Sequence, residues 1–114
     1  MIAMDVKAPL DYRYLEITQT IFGLKRIARS IDVIMNSGVD YEFRTTVAPA
    51  LLSPAEVAEI AQVITGARRY ALQPFRPHAC LDEEMEKLPP CPVSVLQDAA
   101  RLASGFVDEV VIRR

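Results

Sequence analysis

The chain is poor in the side chains that build most metal and nucleophile sites. It holds two cysteines and one histidine in 114 residues. Two thiols are too few for a disulfide framework, a four-cysteine zinc site or the full ligand set of an iron–sulfur cluster. Cys80 and Cys91 lie in a proline-rich stretch, with His78 beside the first of them. They read as two incidental thiols and a solvated loop histidine, with a regulatory disulfide or a His78–Cys80 ligand pair as the alternative. A Ser-His-Asp triad would have to be built around that loop residue. No glycine-rich phosphate loop is present. No run approaches the roughly 20 apolar residues of a membrane helix. The N-terminus carries no basic region followed by a long apolar stretch, so a cytoplasmic protein is expected. Lys and Arg total 13 against 15 for Asp and Glu, a formal net charge of -2, so there is no electrostatic case for nucleic acid.

What is present is a folded domain. The chain is 51% hydrophobic and 25% charged, too apolar for disorder and short enough for one domain over residues 1–114.

Apolar–polar alternation over residues 2–8, stopped by Pro9, predicts a first strand. Leu24, Ile27, Ala28, Ile31, Ile34 and Met35 then fall at helical spacing, with Thr20 as candidate N-cap and Asn36-Ser37-Gly38 as the stop. Residues 41–47 are rich in strand formers. Ser53-Pro54-Ala55-Glu56 is a capping box with proline at the first helical position, ahead of a stripe of Val57, Ile60, Ala61 and Ile64 that ends at Gly66. A third strand is expected at 70–73, then a loop of about 18 residues. A last helix starts near Ser94 and runs through Leu96, Ala99, Ala100, Leu102 and Ala103. A fourth strand follows at 107–112.

Strand–helix repeated three times plus a strand requires a parallel sheet with right-handed crossovers. The fold class is α/β: a small open sheet or an arc of a (β/α) barrel.

Strands of a parallel sheet covered on both faces are apolar throughout. These are not. Ala3, Asp5 and Lys7 share one face of the first strand, and Glu42, Arg44 and Thr46 share one face of the second. Charges on one face of adjacent strands fit the lining of a barrel lumen, where α/β-barrel sites lie. They equally fit a structural ion-pair set of Asp5, Lys7, Glu42 and Arg44. The acidic run Asp82, Glu83, Glu84 and Glu86 reads as a solvated loop.

Three blocks in order carry a family resemblance: Met4-Asp5-Val6-Lys7-Ala8-Pro9, then Ile34-Met35-Asn36-Ser37-Gly38-Val39-Asp40-Tyr41-Glu42-Phe43-Arg44-Thr45-Thr46-Val47, then Leu72-Gln73-Pro74-Phe75-Arg76-Pro77. Together they resemble the C-terminal half of radical S-adenosylmethionine proteins. The nearest look is the activating-protein group of anaerobic ribonucleoside-triphosphate reductase, relatives of the pyruvate formate-lyase activating enzymes. The resemblance implies a partial barrel of about six β/α units, of which this chain would supply the last three and a closing strand. It also implies S-adenosylmethionine and a 4Fe-4S cluster in the complete protein, and a glycyl-radical enzyme as partner: an anaerobic ribonucleotide reductase or a pyruvate formate-lyase-like enzyme. There the cofactor yields a 5′-deoxyadenosyl radical that abstracts hydrogen from a glycine of the partner.

By the same resemblance Asp5 and Lys7 hydrogen-bond and ion-pair with the cofactor. Arg44 adds a further lumen group. Arg76 stands where relatives with a Pro-Tyr-His sequence carry a histidine near the cofactor. The family's Cys-x-x-x-Cys-x-x-Cys and Gly-Gly-Glu segments are missing. The chain is therefore expected to be an expression fragment or truncated product, inactive alone and binding neither cofactor tightly. A homo-oligomer through the exposed edge of the first strand is expected. The alternative is a free-standing, non-enzymatic α/β binding or assembly domain derived from this family.

Overall fold

Strands and helices alternate strictly in the computed structural model, which describes residues 1–7, 21–47, 52–75 and 91–113. The order is β1 (Ile2–Asp5), α1 (Ile21–Met35), β2 (Tyr41–Val47), α2 (Pro54–Val63), β3 (Tyr70–Pro74), α3 (Val93–Ala103) and β4 (Val110–Ile112).

Local chemistry sets the boundaries. The Ser53 hydroxyl accepts from the Glu56 amide and the Glu56 carboxylate accepts from the Ser53 amide, each at 3.2 Å, so α2 starts on a complete capping box. The α1 and α2 exits each reach a glycine with positive φ, +75° at Gly38 and +88° at Gly66. A Cβ at either would meet nothing within 4 Å, so the demand there is on backbone conformation rather than on space. Helix α3 begins after Pro92 with no side-chain cap.

The sheet order is β1-β2-β3-β4, and every neighbouring pair is parallel. Strand order advances without reversal, so the described strands have no topological switch point of the doubly wound kind. One hydrophobic cluster joins all the elements. It takes Ile31 from α1, Ile60 and Ile64 from α2 and Leu96 and Ala99 from α3, against Phe43, Tyr70 and Leu72 of the strands. All three described helices therefore cover the same face of the sheet. That is the arrangement of a (β/α) barrel arc, whose other face, uncovered by helices among the described residues, corresponds to a lumen.

Several local expectations shift. Strand β1 ends at Asp5, although the Val6 amide still donates to the Arg44 carbonyl at 2.8 Å. Strand β4 begins at Val110; the residues before it form a turn in which the Asp108 amide donates to the Ala67 carbonyl at 2.9 Å. Leu102 is 42% exposed. It sits about 100° round the helix from Ala103, off the stripe that Leu96, Ala99 and Ala103 bury. Ala28 is likewise exposed beside the Ile27–Ile31 stripe. The candidate cap Thr20 and the long loop lie outside the described residues.

Candidate functional site

Alternation divides each strand between the two faces of the sheet. Tyr41, Phe43 and Val47 of β2, Tyr70 and Leu72 of β3, and partly buried Val110 and Ile112 of β4 belong to the helix-covered core. Glu42, Arg44 and Thr46 fall on the opposite, open face. The register sets Asp5 beside Arg44, and Arg44 beside Ala71. Ala71 in turn is paired with Val111, and Arg113 follows two residues later on the same parity.

The centre of the open face is Glu42. Its side chain is 0% exposed, yet its two ion-pair partners are arginines whose side chains are 35% and 45% exposed. Arg44 Nε donates to Glu42 Oε2 at 2.8 Å. Arg113 Nη2 donates to Glu42 Oε1. The second contact spans from β4 to β2, over the intervening strand. Two inter-strand spacings come to about 10 Å, within reach of an arginine provided that β3 offers no bulk on that face. It offers Ala71, which is fully buried but absent from the hydrophobic core cluster. Burial pushes the Glu42 carboxyl up, but the hydrogen bonds and charges of Arg44 and Arg113 outweigh it and hold the group below the ordinary 4.5.

A second polar chain threads the core side. Thr45 Oγ1 donates to the Val6 carbonyl at 2.7 Å and lies 2.5 Å from the Tyr70 hydroxyl. Threonine has one hydroxyl proton, and it is used on Val6, so Tyr70 is the donor to Thr45. Burial pushes the Tyr70 hydroxyl well up, despite the opposing effect of the Thr45 hydrogen bond. The chain Tyr70 to Thr45 to Val6 thus ties β3, β2 and the end of β1 through side chains as well as through the backbone ladder. No buried side-chain nitrogen or oxygen lacks a partner among the described residues.

Asp5 and Lys7 are exposed, at the carboxyl end of β1 and just beyond it, on the open face. The structure brings Arg44 together with Glu42 but gives Asp5 no ion pair with its neighbour Arg44. Arg76, His78 and Cys80 lie outside the described residues. Cys91 is a half-buried free thiol that burial pushes up, away from the reactive thiolate form. Arg113 was absent from the expected set. Its only signal was parity: it continues the Val111 face one step past the end of β4.

These features define a (β/α)-barrel arc with a cation-rich charged site on its open face. Over 116 residues the chain is 31% identical to a protein of Methanocaldococcus jannaschii provisionally named a glycyl-radical enzyme activating enzyme. The alignment takes in 98% of this chain and 48% of that protein, so the chain spans about half the length of the curated relative it matches. No family model and no solved structure matches.

The radical S-adenosylmethionine resemblance implies an iron–sulfur cluster in a complete protein, and the residues present do not fit one. Among the described residues no three His, Cys, Asp or Glu side chains are grouped to hold a metal. The whole sequence has two cysteines. Among the described residues no helix is long and apolar enough to cross a membrane.

Proposed function

We propose that this chain, as one domain over residues 1–114, is the C-terminal half of a cytoplasmic radical S-adenosylmethionine activase that acts on a glycyl-radical enzyme. The finer assignment is to the group that activates anaerobic ribonucleotide reductase or a pyruvate formate-lyase-like partner. The observation that carries this reading is that the alignment with the activating enzyme takes in 98% of the chain. A singly wound arc whose described helices all lie on one face supports it.

In the complete protein the cofactor supplies the radical chemistry. This chain supplies a polar wall. The exposed Asp5 carboxylate suits a hydroxyl or ammonium group of S-adenosylmethionine, and the Lys7 and Arg44 cations suit its carboxylate. Arg76 is proposed as a fourth contact. The cluster has to be held by a segment outside these residues, and the chain by itself is inactive.

The test is a titration of S-adenosylmethionine into the chain completed with a cluster-binding half. Lys7→Ala weakens binding by about tenfold or more, the loss expected of one charge-assisted contact. Unchanged affinity for both Lys7→Ala and Arg44→Ala removes the assignment.

The outer edge of β1 carries no strand among the described residues. It is proposed as the seam through which copies of this chain pair. The satisfied Glu42 triad favours a second reading, a non-enzymatic binding domain of the same descent. A frame-matched Cys-x-x-x-Cys-x-x-Cys in the DNA upstream of Met1 decides for the activase; a promoter and ribosome site there decide for the domain.

A further inference from the structure

We infer that the outer side of α1 is a docking groove for an acidic segment of a partner protein, one that carries apolar side chains among its carboxylates.

The first argument is shape. A concavity of about 570 Å3 opens on α1, and its described wall is Lys25, Arg26, Arg29, Ser30, Val33 and Ile34. Arg26, Arg29, Ser30 and Val33 fall at i, i+3, i+4 and i+7, so they form one continuous strip along the helix. Helix α1 covers its sheet lightly. Among its described residues only Ile31 is buried, whereas α2 buries Val57, Ile60 and Ala61 and α3 buries Leu96, Ala99 and Ala103. Every wall residue except Ile34 is exposed. A small-molecule site encloses most of its ligand. An open strip instead fits a chain segment laid along the helix.

The second argument is charge. The ionic side chains of the wall are all cations, in a chain whose formal net charge is -2. Asp32, the one acid between Ile21 and Met35, is not part of the wall. Lys25 and Arg29 make no ion pair among the described residues. Lys25 and Arg29 stand at i, i+4, and Arg26 and Arg29 at i, i+3; like charges so placed weaken a helix. Helix stability therefore does not account for the pattern, and carboxylates are its complement. Val33, 60% exposed, and half-buried Ile34 give the strip an apolar end.

The same observations select the occupant. Two copies of the strip would set cation against cation, so it is not a self-pairing face. An interfacial helix buries a broad apolar face in lipid. Here Ile27, Ile31, Ile34 and Met35 are spent on the core, and Val33 is the one large apolar side chain left exposed among the described residues of α1. The inference does not depend on the activase reading.

The test uses a labelled synthetic helical peptide of glutamate and alanine with leucines at i, i+4 and i+7. Fluorescence anisotropy follows its titration with the full chain. A dissociation constant of about 10–100 µM is expected. Arg29→Glu weakens binding by about tenfold or more, because like charges then face each other. Val33→Ser weakens it by about fivefold, through loss of a buried apolar contact. Arg101→Glu, at a 75% exposed side chain on α3, leaves it unchanged. Both α1 variants change exposed residues, and circular dichroism checks that each folds. Absence of saturable binding overturns the inference, as do equal losses for Arg29→Glu and Arg101→Glu. Equal binding of a peptide with serine in place of leucine also overturns it. Binding of the chain to phosphatidylglycerol vesicles that depends on Arg29, without peptide binding, assigns the strip to a membrane instead. A rise in peptide affinity when Glu83, Glu84 and Glu86 are all changed to glutamine assigns it to the chain's own acidic run, and the partner falls.

Discussion

Replacing Glu42 by glutamine keeps the shape of the side chain and removes its charge. The carboxylate makes two charge-assisted hydrogen bonds, one per oxygen. Fully desolvated, each is worth about 1.5–3 kcal/mol. The two arginines are 35% and 45% exposed, so water recovers part of what the variant loses. The discounted worth is about 1 kcal/mol each. Glutamine retains one acceptor oxygen and turns an NH2 group toward the other guanidinium, donor against donor. The expected loss for Glu42→Gln near neutral pH is about 2 kcal/mol, or about 10 °C in melting temperature for a chain of this size. The loss depends on pH. The folded carboxyl lies below its ordinary 4.5. Its stabilisation is therefore complete above that value and disappears as pH falls through the lower folded value. Urea midpoints of the two proteins should differ at neutral pH, and the difference should shrink as pH falls below the ordinary carboxyl value of 4.5. A neutral-pH difference under about 0.5 kcal/mol, or a difference that does not shrink on acidification, would refute the buried-triad reasoning.

Thr45→Val strands both the Val6 carbonyl and the buried Tyr70 hydroxyl, so it should cost about 2 kcal/mol, whereas Tyr70→Phe should cost about 1. The double variant should cost less than the sum, as read from a denaturant double-mutant cycle; strict additivity would contradict the hydrogen-bond order. Anaerobic reconstitution of the chain with iron and sulfide should yield no stable catalytic cluster, and stoichiometric cluster with cofactor cleavage would contradict this. Light scattering at high concentration should give a dimer or larger species through the β1 edge; a strictly monomeric mass would count against that seam.

Strand β2 matches its expected span because five strand formers among seven residues stand between a glycine turn and Pro49, with no competing signal. Helix α2 was equally legible, since Ser53, Pro54 and Glu56 specify a helix start through bonds made within four residues. Alternation grouped Asp5 with Lys7 on one face of the first strand and Glu42 with Arg44 on one face of the second before any strand order was known. It could not pair them. The Glu42–Arg44 contact is local to one strand, but Arg113 meets Glu42 from 71 residues away, and only the strand order brings β4 within reach. The Tyr70–Thr45 bond has the same character: two strand hydroxyls on a core face carry no signal until the register is set. Leu102 was misplaced for a smaller reason, a single step of helix phase.

The most direct measurement joins this chain to a cluster-binding half bearing Cys-x-x-x-Cys-x-x-Cys and assays 5′-deoxyadenosine under reducing, anaerobic conditions with a glycyl-radical enzyme present. The joined protein should release 5′-deoxyadenosine and raise a glycyl-radical doublet in the partner's electron paramagnetic resonance spectrum, both lowered by Lys7→Ala. Full activity that is indifferent to Lys7, Asp5 and Arg44 together would contradict the assignment of the open face to the cofactor.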